Sequence, residues 1–209
     1  MGTSITIPSS VVSIENSAFY CSVNLTNLVI PDNVTTIKNS AFMSCASLTS
    51  VEIGAGLTNL SPTAFSLCGK LVSIIVDKEN TVFRSIDDNL YSKDARTLLL
   101  YARGKADTEF VIPNHVTCIG ASAFFSCKDL TSIIFHDNVV EIQACAFKYC
   151  SNIRELTLPS SLKVIGEYAF ANCAKTVRVR FKGTLSQWHR IDIAENCNDG
   201  TEWIITCSG

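Results

Sequence analysis

The sequence predicts an α/β repeat fold, a solenoid of about eight 23-residue rungs with a parallel sheet on one face and short helices or turns on the other. Three observations predict it. The dipeptide Ala-Phe returns at a fixed interval, branched residues alternate after each copy, and one longer interval has room for an inserted β-hairpin. Self-similarity at one period between about 20 and 50 residues is typical of solenoids, whose units stack to bury a continuous core.

The repeat is carried by copies of Ala-Phe whose steps along the chain are 23, 23, 59, 23 and 23 residues. The copies begin at Ala18, Ala41, Ala64, Ala123, Ala146 and Ala169. Four residues after the alanine, most copies place a cysteine, namely Cys45, Cys68, Cys127, Cys150 and Cys173. Since no single unit can bury its own apolar face, these fixed positions predict columns of like residues inside a stack.

One strand is predicted per rung, about ten to twelve residues after each alanine, where branched apolar residues alternate with polar or mixed ones. A residue such as Pro31, Gly54 or Pro159 then ends the strand. The segment 37–45, around the Ala-Phe pair, predicts a short helical turn that returns the chain. The expected rungs centre on Ile5, Leu28, Val51, Ile74, Phe110, Ile133, Leu156 and Val179.

The long interval contains 13 extra residues upstream of the Phe110 rung. Two strand-like runs, 89–91 and 96–101, flank a polar turn there and predict a β-hairpin that projects from the stack. After Phe181 the pattern stops, and Trp188 and Trp203 predict a hydrophobic lid closed by one last strand.

These features predict a single solenoid domain over residues 1–209. It consists of N-terminal rungs 1–84, the hairpin insertion 85–109, C-terminal rungs 110–182 and a cap 183–209. Terminal repeats of solenoids need a polar outer face, and the first rung has none. We therefore expect the natural protein to continue upstream.

Composition disfavours several classes of partner. With 17 basic and 19 acidic residues, a formal charge of -2 and no basic cluster, the chain has no electrostatic footprint for nucleic acid or anionic membrane. No apolar run approaches the ~20 residues of a membrane span, so direct membrane insertion is not expected. The N-terminus lacks the basic and apolar regions of a secretory signal.

The ten cysteines and three histidines do not form a recognisable reactive site. There is no Cys-x-x-Cys pair for zinc, so no metal is expected, and the repeated cysteines are interpreted as core packing. Cys197 and Cys207, both in the cap, are the candidate pair for a disulfide. No Gly-x-Ser-x-Gly, Gly-x-Gly-x-x-Gly or Walker loop occurs, so neither catalytic residues nor a cofactor are predicted.

The unit resembles the BspA-type leucine-rich repeat, which runs roughly Ile-Gly-x-x-Ala-Phe-x-x-Cys-x-x-Leu-x-x-Val-x-Ile-Pro. The segments 119–135 and 165–173 match this pattern best, and the resemblance covers nearly the whole chain. It implies a curved, right-handed leucine-rich-repeat solenoid and an origin in cell-surface or secreted proteins, some of which act as adhesins toward host proteins. It supplies no catalytic residues and fixes no ligand.

Candidate binding residues lie on the outward face of the predicted sheet, nine and eleven residues after each alanine. In a solenoid such positions form a continuous surface, which is the usual recognition face. Isolated exposed apolar residues need no explanation, but this face combines them with a basic end. The predicted patch for a protein or glycan consists of Ile75, Ile134, Glu155, Arg178 and Arg180.

The leading hypothesis is a monomeric recognition module of a cell-surface or secreted protein. One alternative is a structural spacer that holds another domain away from a surface and has no ligand of its own. An intracellular partner-binding repeat protein fits the unpaired cysteines, because free thiols persist in reducing compartments. A hydrolase would require a pocket with a perturbed histidine or cysteine.

Overall fold

The computed structural model describes residues 3–208, and the chain divides into two compact units between Lys105 and Ala106. Residues 1, 2 and 209, at the ends of the predicted single domain, lie outside the described residues. The single domain over 1–209 stays a prediction.

Unit 1 contains two parallel ladders, one of long and one of very short strands. The long strands pair in the order β1 (Thr3–Ile5), β3 (Leu25–Ile30), β5 (Ser50–Ile53) and β7 (Ser73–Val76). The short strands pair in the order β2 (Ser13–Ile14), β4 (Thr36–Ile37) and β6 (Asn59–Leu60). Ile5 pairs with Leu28, Leu28 with Val51, and Val51 with Ile74, so the predicted register of the first rungs is confirmed.

An antiparallel meander follows the long strands of unit 1. Its strands are β8 (Phe83–Ile86), β9 (Asn89–Ser92) and β10 (Thr97–Leu100). The predicted hairpin is thus confirmed as β9 and β10, and β8 adds a third strand. The prediction that it projects from the stack is wrong, because Leu90 and Leu100 are buried in the hydrophobic core of unit 1.

Unit 2 repeats the two-ladder plan. The long strands pair in the order β11 (Glu109–Val111), β13 (Ser132–Ile134), β15 (Glu155–Leu158), β17 (Thr176–Phe181) and β19 (Glu202–Cys207). The short strands pair in the order β12 (Cys118–Ile119), β14 (Glu141–Ile142), β16 (Val164–Ile165) and β18 (Asp192–Ile193). Every turn of unit 2 except the last, which has β19 alone, therefore has two strands. The sequence predicted one strand per turn, because a two-residue strand is too short to show alternation.

The predicted C-terminal lid is a complete further turn. Between β17 and β18 lies α1 (Leu185–Trp188), whose Thr184 forms a capping box with Gln187. Strand β19 pairs in parallel with β17 from Thr176 to Phe181. The described residues thus form nine turns, one more than the eight predicted rungs.

The return segments are ladders of turns, one of the two forms predicted for them, and the turn over 37–45 is not helical. Alternate N–H groups bond within the segment and to the next turn: Met43 N donates to Ser40 O at 3.1 Å, whereas Phe42 N donates to Ala64 O at 2.9 Å. Ser40 and Ser44 adopt left-handed backbone, with φ of 55° and 63°. A helix would direct every donor back to its own segment, so inter-turn bonding excludes it.

The repeated alanine and phenylalanine form the columns that the spacing predicted. In unit 1 the ring centroids of Phe19 and Phe42 lie 5.1 Å apart, and those of Phe42 and Phe65 lie 5.3 Å apart. In unit 2 Phe147 stacks between Phe124 and Phe170 in the same way. The small alanine lets the backbones of neighbouring turns approach closely enough for the hydrogen bonds between them.

Candidate binding surface on the sheet face

The long strands place alternate side chains in the core and in solvent, as predicted. On unit 2 the register sets two outward rows beside each other. One row runs through Val111, Ile134, Thr157 and Arg180. The other row runs from Glu155 through Arg178 to Ile204. Ile134 is 44% exposed and both arginines are exposed. Four of the five predicted binding residues therefore lie on one surface, the unit 2 sheet face.

A groove of about 440 Å³ opens on the unit 2 sheet face. Its lining residues are Thr131, Ser132, Asn152, Arg154, Glu155 and Arg178. Arg178 Nη1 lies 3.3 Å from Glu155 Oε1, but both side chains are largely exposed, so the ion pair is weak and either partner is available to a ligand. Arg154 is exposed and takes part in none of the ion pairs among residues 3–208. The groove thus offers guanidinium, hydroxyl and amide groups for polar recognition.

The fifth predicted residue, Ile75, lies on the sheet face of unit 1. The register places it beside Glu52, which in turn lies beside Val29. Both apolar side chains are 52% exposed, and they line a groove of about 320 Å³ together with Asp32 and Asp77. This surface is acidic and apolar, whereas the unit 2 groove contains two arginines.

Sequence reasoning missed several residues of these surfaces. Three lining residues of the unit 2 groove precede the strands, namely Arg154, Thr131 and Asn152. Alternation does not predict the direction of side chains outside a strand. Ile204, 50% exposed, was missed because the cap was not recognised as a turn. Val111 was detectable, since it is one residue after Phe110 in a predicted rung.

The repeated cysteines form a buried column with a specific hydrogen bond. The thiols of Cys68, Cys150 and Cys173 each donate to the carbonyl of a phenylalanine in the preceding turn, with Sγ···O distances of 3.1, 3.0 and 3.2 Å. All ten cysteines are free, including Cys197 and Cys207, so the cap has no disulfide. Cysteine suits the position because it is small and has a weak donor.

Burial suppresses the reactivity of Cys150, Cys173 and Cys197. It raises the pKa of Cys173 from 9.0 to about 12, raises the pKa of Cys197 to about 11, and holds the pKa of Cys150 well above its ordinary value. We expect the folded protein to present Cys21, the one fully exposed cysteine of residues 3–208, as its fast-reacting thiol. Titration with Ellman's reagent at pH 8 checks this. The Cys21→Ser variant should lose the fastest phase, and more than two fast thiols in that variant would contradict the burial, since only Cys145 and Cys207 are also partly exposed.

The same pKa shifts predict that stability falls in alkali. An unfolded thiol ionises near pH 9, whereas Cys173 in the folded state ionises near 12. The unfolded state therefore releases protons first, and the stability present below pH 9 is lost as the pH rises toward 12. Urea denaturation midpoints between pH 8 and 11 should decline, and the decline should be smaller in Cys173→Ala. An equal decline in both proteins would refute the assignment.

His136 has structural surroundings. His136 Nδ1 accepts from Asn138 N at 3.1 Å, and its Nε2 lies 2.8 Å from the carbonyl oxygen of Pro113, so the ring connects two turns of unit 2. Within residues 3–208 no group of three or more His, Cys, Asp or Glu residues could hold a metal ion. The helices of that same range include none that is long and apolar enough to cross a membrane.

Two parallel ladders, columns of buried alanine, phenylalanine and cysteine, and an outward sheet face of non-repeating residues define a repeat-protein scaffold of the leucine-rich-repeat solenoid class. The family model described as BspA type leucine-rich repeat region matches residues 2–95 and 103–199 in six copies. The chain belongs to this family.

Solved structures resemble the chain over most of its length. A leucine-rich cell surface protein from Faecalibacterium prausnitzii is 26% identical, with a TM-score of 0.65, over 90% of this chain and 62% of that one. A leucine-rich repeat protein from Eubacterium ventriosum is 21% identical, with a TM-score of 0.61, over 86% and 60%. The pneumococcal vaccine antigen PcpA is 18% identical, with a TM-score of 0.64, over 99% and 68%.

The chain thus spans less than two thirds of the length of the first two structures. Those at or below 21% identity support the fold alone. Among curated proteins none matches the chain.

Proposed function

We propose that this chain is the recognition module of a cell-surface or secreted protein and binds a protein or glycan ligand through the unit 2 sheet face. The observation that carries the proposal is the exposed surface of Ile134 and Arg180 together with the groove that Arg154, Glu155 and Arg178 line. The core columns repeat from turn to turn, whereas the outward side chains of these strands differ in size and charge. Such variation on a rigid sheet is how solenoids present a specific surface.

Two further observations support this role. Family membership makes the chain a scaffold whose repeated residues are occupied in packing. The Faecalibacterium prausnitzii structure that resembles it is named a cell surface protein, which supports an extracellular location here. We infer a monomeric, non-enzymatic binding protein, and adhesion to host molecules is the role that such a module would serve.

A second candidate is an intracellular protein-interaction repeat. The observation that favours it is the set of ten free cysteines, which reducing compartments preserve. Burial of most of these thiols also protects them from oxidants, which leaves the surface location as the stronger proposal.

The test is a ligand screen followed by a triple substitution. Arrays of purified extracellular-matrix proteins and of glycans identify the ligand. Combined replacement of Ile134, Arg178 and Arg180 by alanine is then expected to weaken its binding by about 100-fold or more, because central arginines and apolar anchors dominate interfaces. Surface plasmon resonance measures the loss.

A matched control replaces one exposed apolar and two basic residues of unit 2 that lie off the long strands, in Leu185→Ala/Lys163→Ala/Arg190→Ala. It should bind like the unmodified protein, and both variants should have the same Tm. Equal affinity of the sheet-face variant and this control would reject the unit 2 sheet face as the binding surface. Absence of any ligand on either array would favour the spacer.

A further inference from the structure

A cluster of three aromatic side chains and one lysine lies on the return segments of unit 2, outside the long strands. Phe125, Lys148, Tyr149 and Tyr168 come from three consecutive turns. The groove on the unit 2 sheet face includes none of them. We refer to these residues as the aromatic cluster.

The cluster has a defined geometry. The ring centroids of Phe125 and Tyr149 lie 5.5 Å apart with an interplanar angle of 80°, an edge-to-face contact. Lys148 Nζ lies 4.4 Å from the centroid of Tyr168 and 5.5 Å from that of Tyr149. The ammonium group therefore makes cation–π contacts with both tyrosine rings.

Both tyrosines have left-handed backbone. Tyr149 has a φ of 65° and Tyr168 a φ of 55°, and bulky residues rarely adopt this left-handed region. The other return segments adopt the same left-handed backbone at one or both of these repeat positions, mostly with small or polar residues such as Ser40, Ser44, Ser122, Ser126 and Asn172, and once with Leu67. Core packing does not explain Tyr149, whose side chain is 42% exposed. The turn conformation therefore does not require aromatic rings at these two positions, and the exposed ring of Tyr149 is available to a ligand.

The charge of Lys148 is not neutralised by a neighbouring acid. Within residues 3–208 it takes part in none of the ion pairs, although the exposed Glu167 belongs to the same return segments. An ammonium group that is fixed over aromatic faces and lacks a carboxylate partner favours an anionic ligand.

We propose that the aromatic cluster is a second binding site and takes an acidic saccharide. The apolar C–H face of a pyranose ring stacks on the exposed Tyr149 ring, and the sugar carboxylate pairs with Lys148 Nζ. The phenol hydroxyls of Tyr149 and Tyr168 form hydrogen bonds with the hydroxyl groups of the sugar ring.

A peptide is a poorer match because the backbone here is already bonded. Tyr149 N donates to Ala171 O at 2.9 Å and Lys148 N donates to Cys145 O at 3.1 Å, so neither can pair with an added strand. Strand addition is a principal way in which proteins hold extended peptides. A small flat ring bearing one carboxylate needs no backbone contact.

The site is tested with the full chain and a tetrasaccharide of galacturonate, with its methyl ester as the uncharged probe. Isothermal titration calorimetry should detect the acid form with a Kd below about 1 mM. Esterification, Lys148→Gln, Tyr149→Ser and Tyr168→Ser should each weaken binding by about 10-fold or more. Serine stands at both tyrosine positions in other turns, so Tm should stay within a few degrees of the unmodified value.

The matched control is Tyr20→Ser, which removes a 52% exposed tyrosine from a return segment of unit 1 and should leave affinity unchanged. Lack of binding by the acid form, equal binding of the ester, or full affinity in Tyr149→Ser would each overturn the proposal. Competition by hexaglutamate with the same variant dependence would assign an acidic peptide instead. The proposal does not depend on the unit 2 sheet face, whose residues all these variants retain.

Discussion

Replacement of Phe42 by alanine is expected to lower the free energy of unfolding by about 3–5 kcal/mol, the usual range for a buried phenylalanine. Phe42 is 0% exposed, and its ring stacks between those of Phe19 and Phe65 with centroid distances of 5.1 and 5.3 Å. Truncation removes both ring contacts and leaves a cavity in the centre of the column. The backbone cannot collapse into it, because Phe42 N is bonded to Ala64 O of the next turn. Urea denaturation followed by circular dichroism measures the change.

Phe19 provides the control for this prediction because it has the same repeat position in the same unit. Its ring is partly exposed and its stacking partner is Phe42 alone among the described rings. Phe19→Ala should therefore cost about 1–2 kcal/mol, since less apolar area and one ring contact are lost. Equal losses in the two variants would show that the column does not stabilise unit 1 through stacking.

Replacement of Gly104 by alanine is expected to cost about 2–3 kcal/mol, toward the upper end for overpacked sites. A Cβ at this position would lie 2.4 Å from the carbonyl carbon of Lys70 and 2.8 Å from Leu71 N. Gly104 N also donates to Leu71 O at 2.7 Å, so the two backbones cannot separate without losing that hydrogen bond. The same urea titration measures the effect.

The neighbouring Gly69 is the control for this effect. A Cβ there meets no atom within 4 Å. Gly69→Ala should leave stability within about 1 kcal/mol of the unmodified protein, or raise it slightly by restricting the unfolded chain. A large loss at Gly69, or none at Gly104, would contradict the close approach of the backbones.

The regular part of the fold was predictable because residues at the same repeat position lie side by side in neighbouring strands. This spacing fixes the register of each strand pair. The spacing of Leu28, Val51 and Ile74 gave their pairing directly. The sequence left the return segments open between short helices and turns, because the two forms have the same apolar spacing. In the turns seen here, backbone N–H groups bond alternately within the segment and to the next turn. The left-handed backbone that distinguishes them falls on serines such as Ser40, which carry no strong sequence signal.

The candidate sites were predictable only where a strand sets side-chain direction. Alternation correctly placed Ile134, Arg178 and Arg180 in solvent. Arg154 and the aromatic cluster were not predicted because they lie on turns, where the direction of a side chain depends on the backbone torsion angles. The contact of Lys148 with Tyr168 also joins two turns, and the repeat pattern gives no information about residues that do not repeat.

The central claim is that the repeated residues build the scaffold and the unit 2 sheet face binds the ligand. Amide chemical shifts in the 15N-labelled protein, recorded during titration with the tightest ligand from the arrays, test it most directly. Perturbations should concentrate on β13, β15 and β17, around Ile134, Glu155 and Arg178, and spare the short strands of unit 2. Perturbations confined to other parts of the chain would contradict the claim.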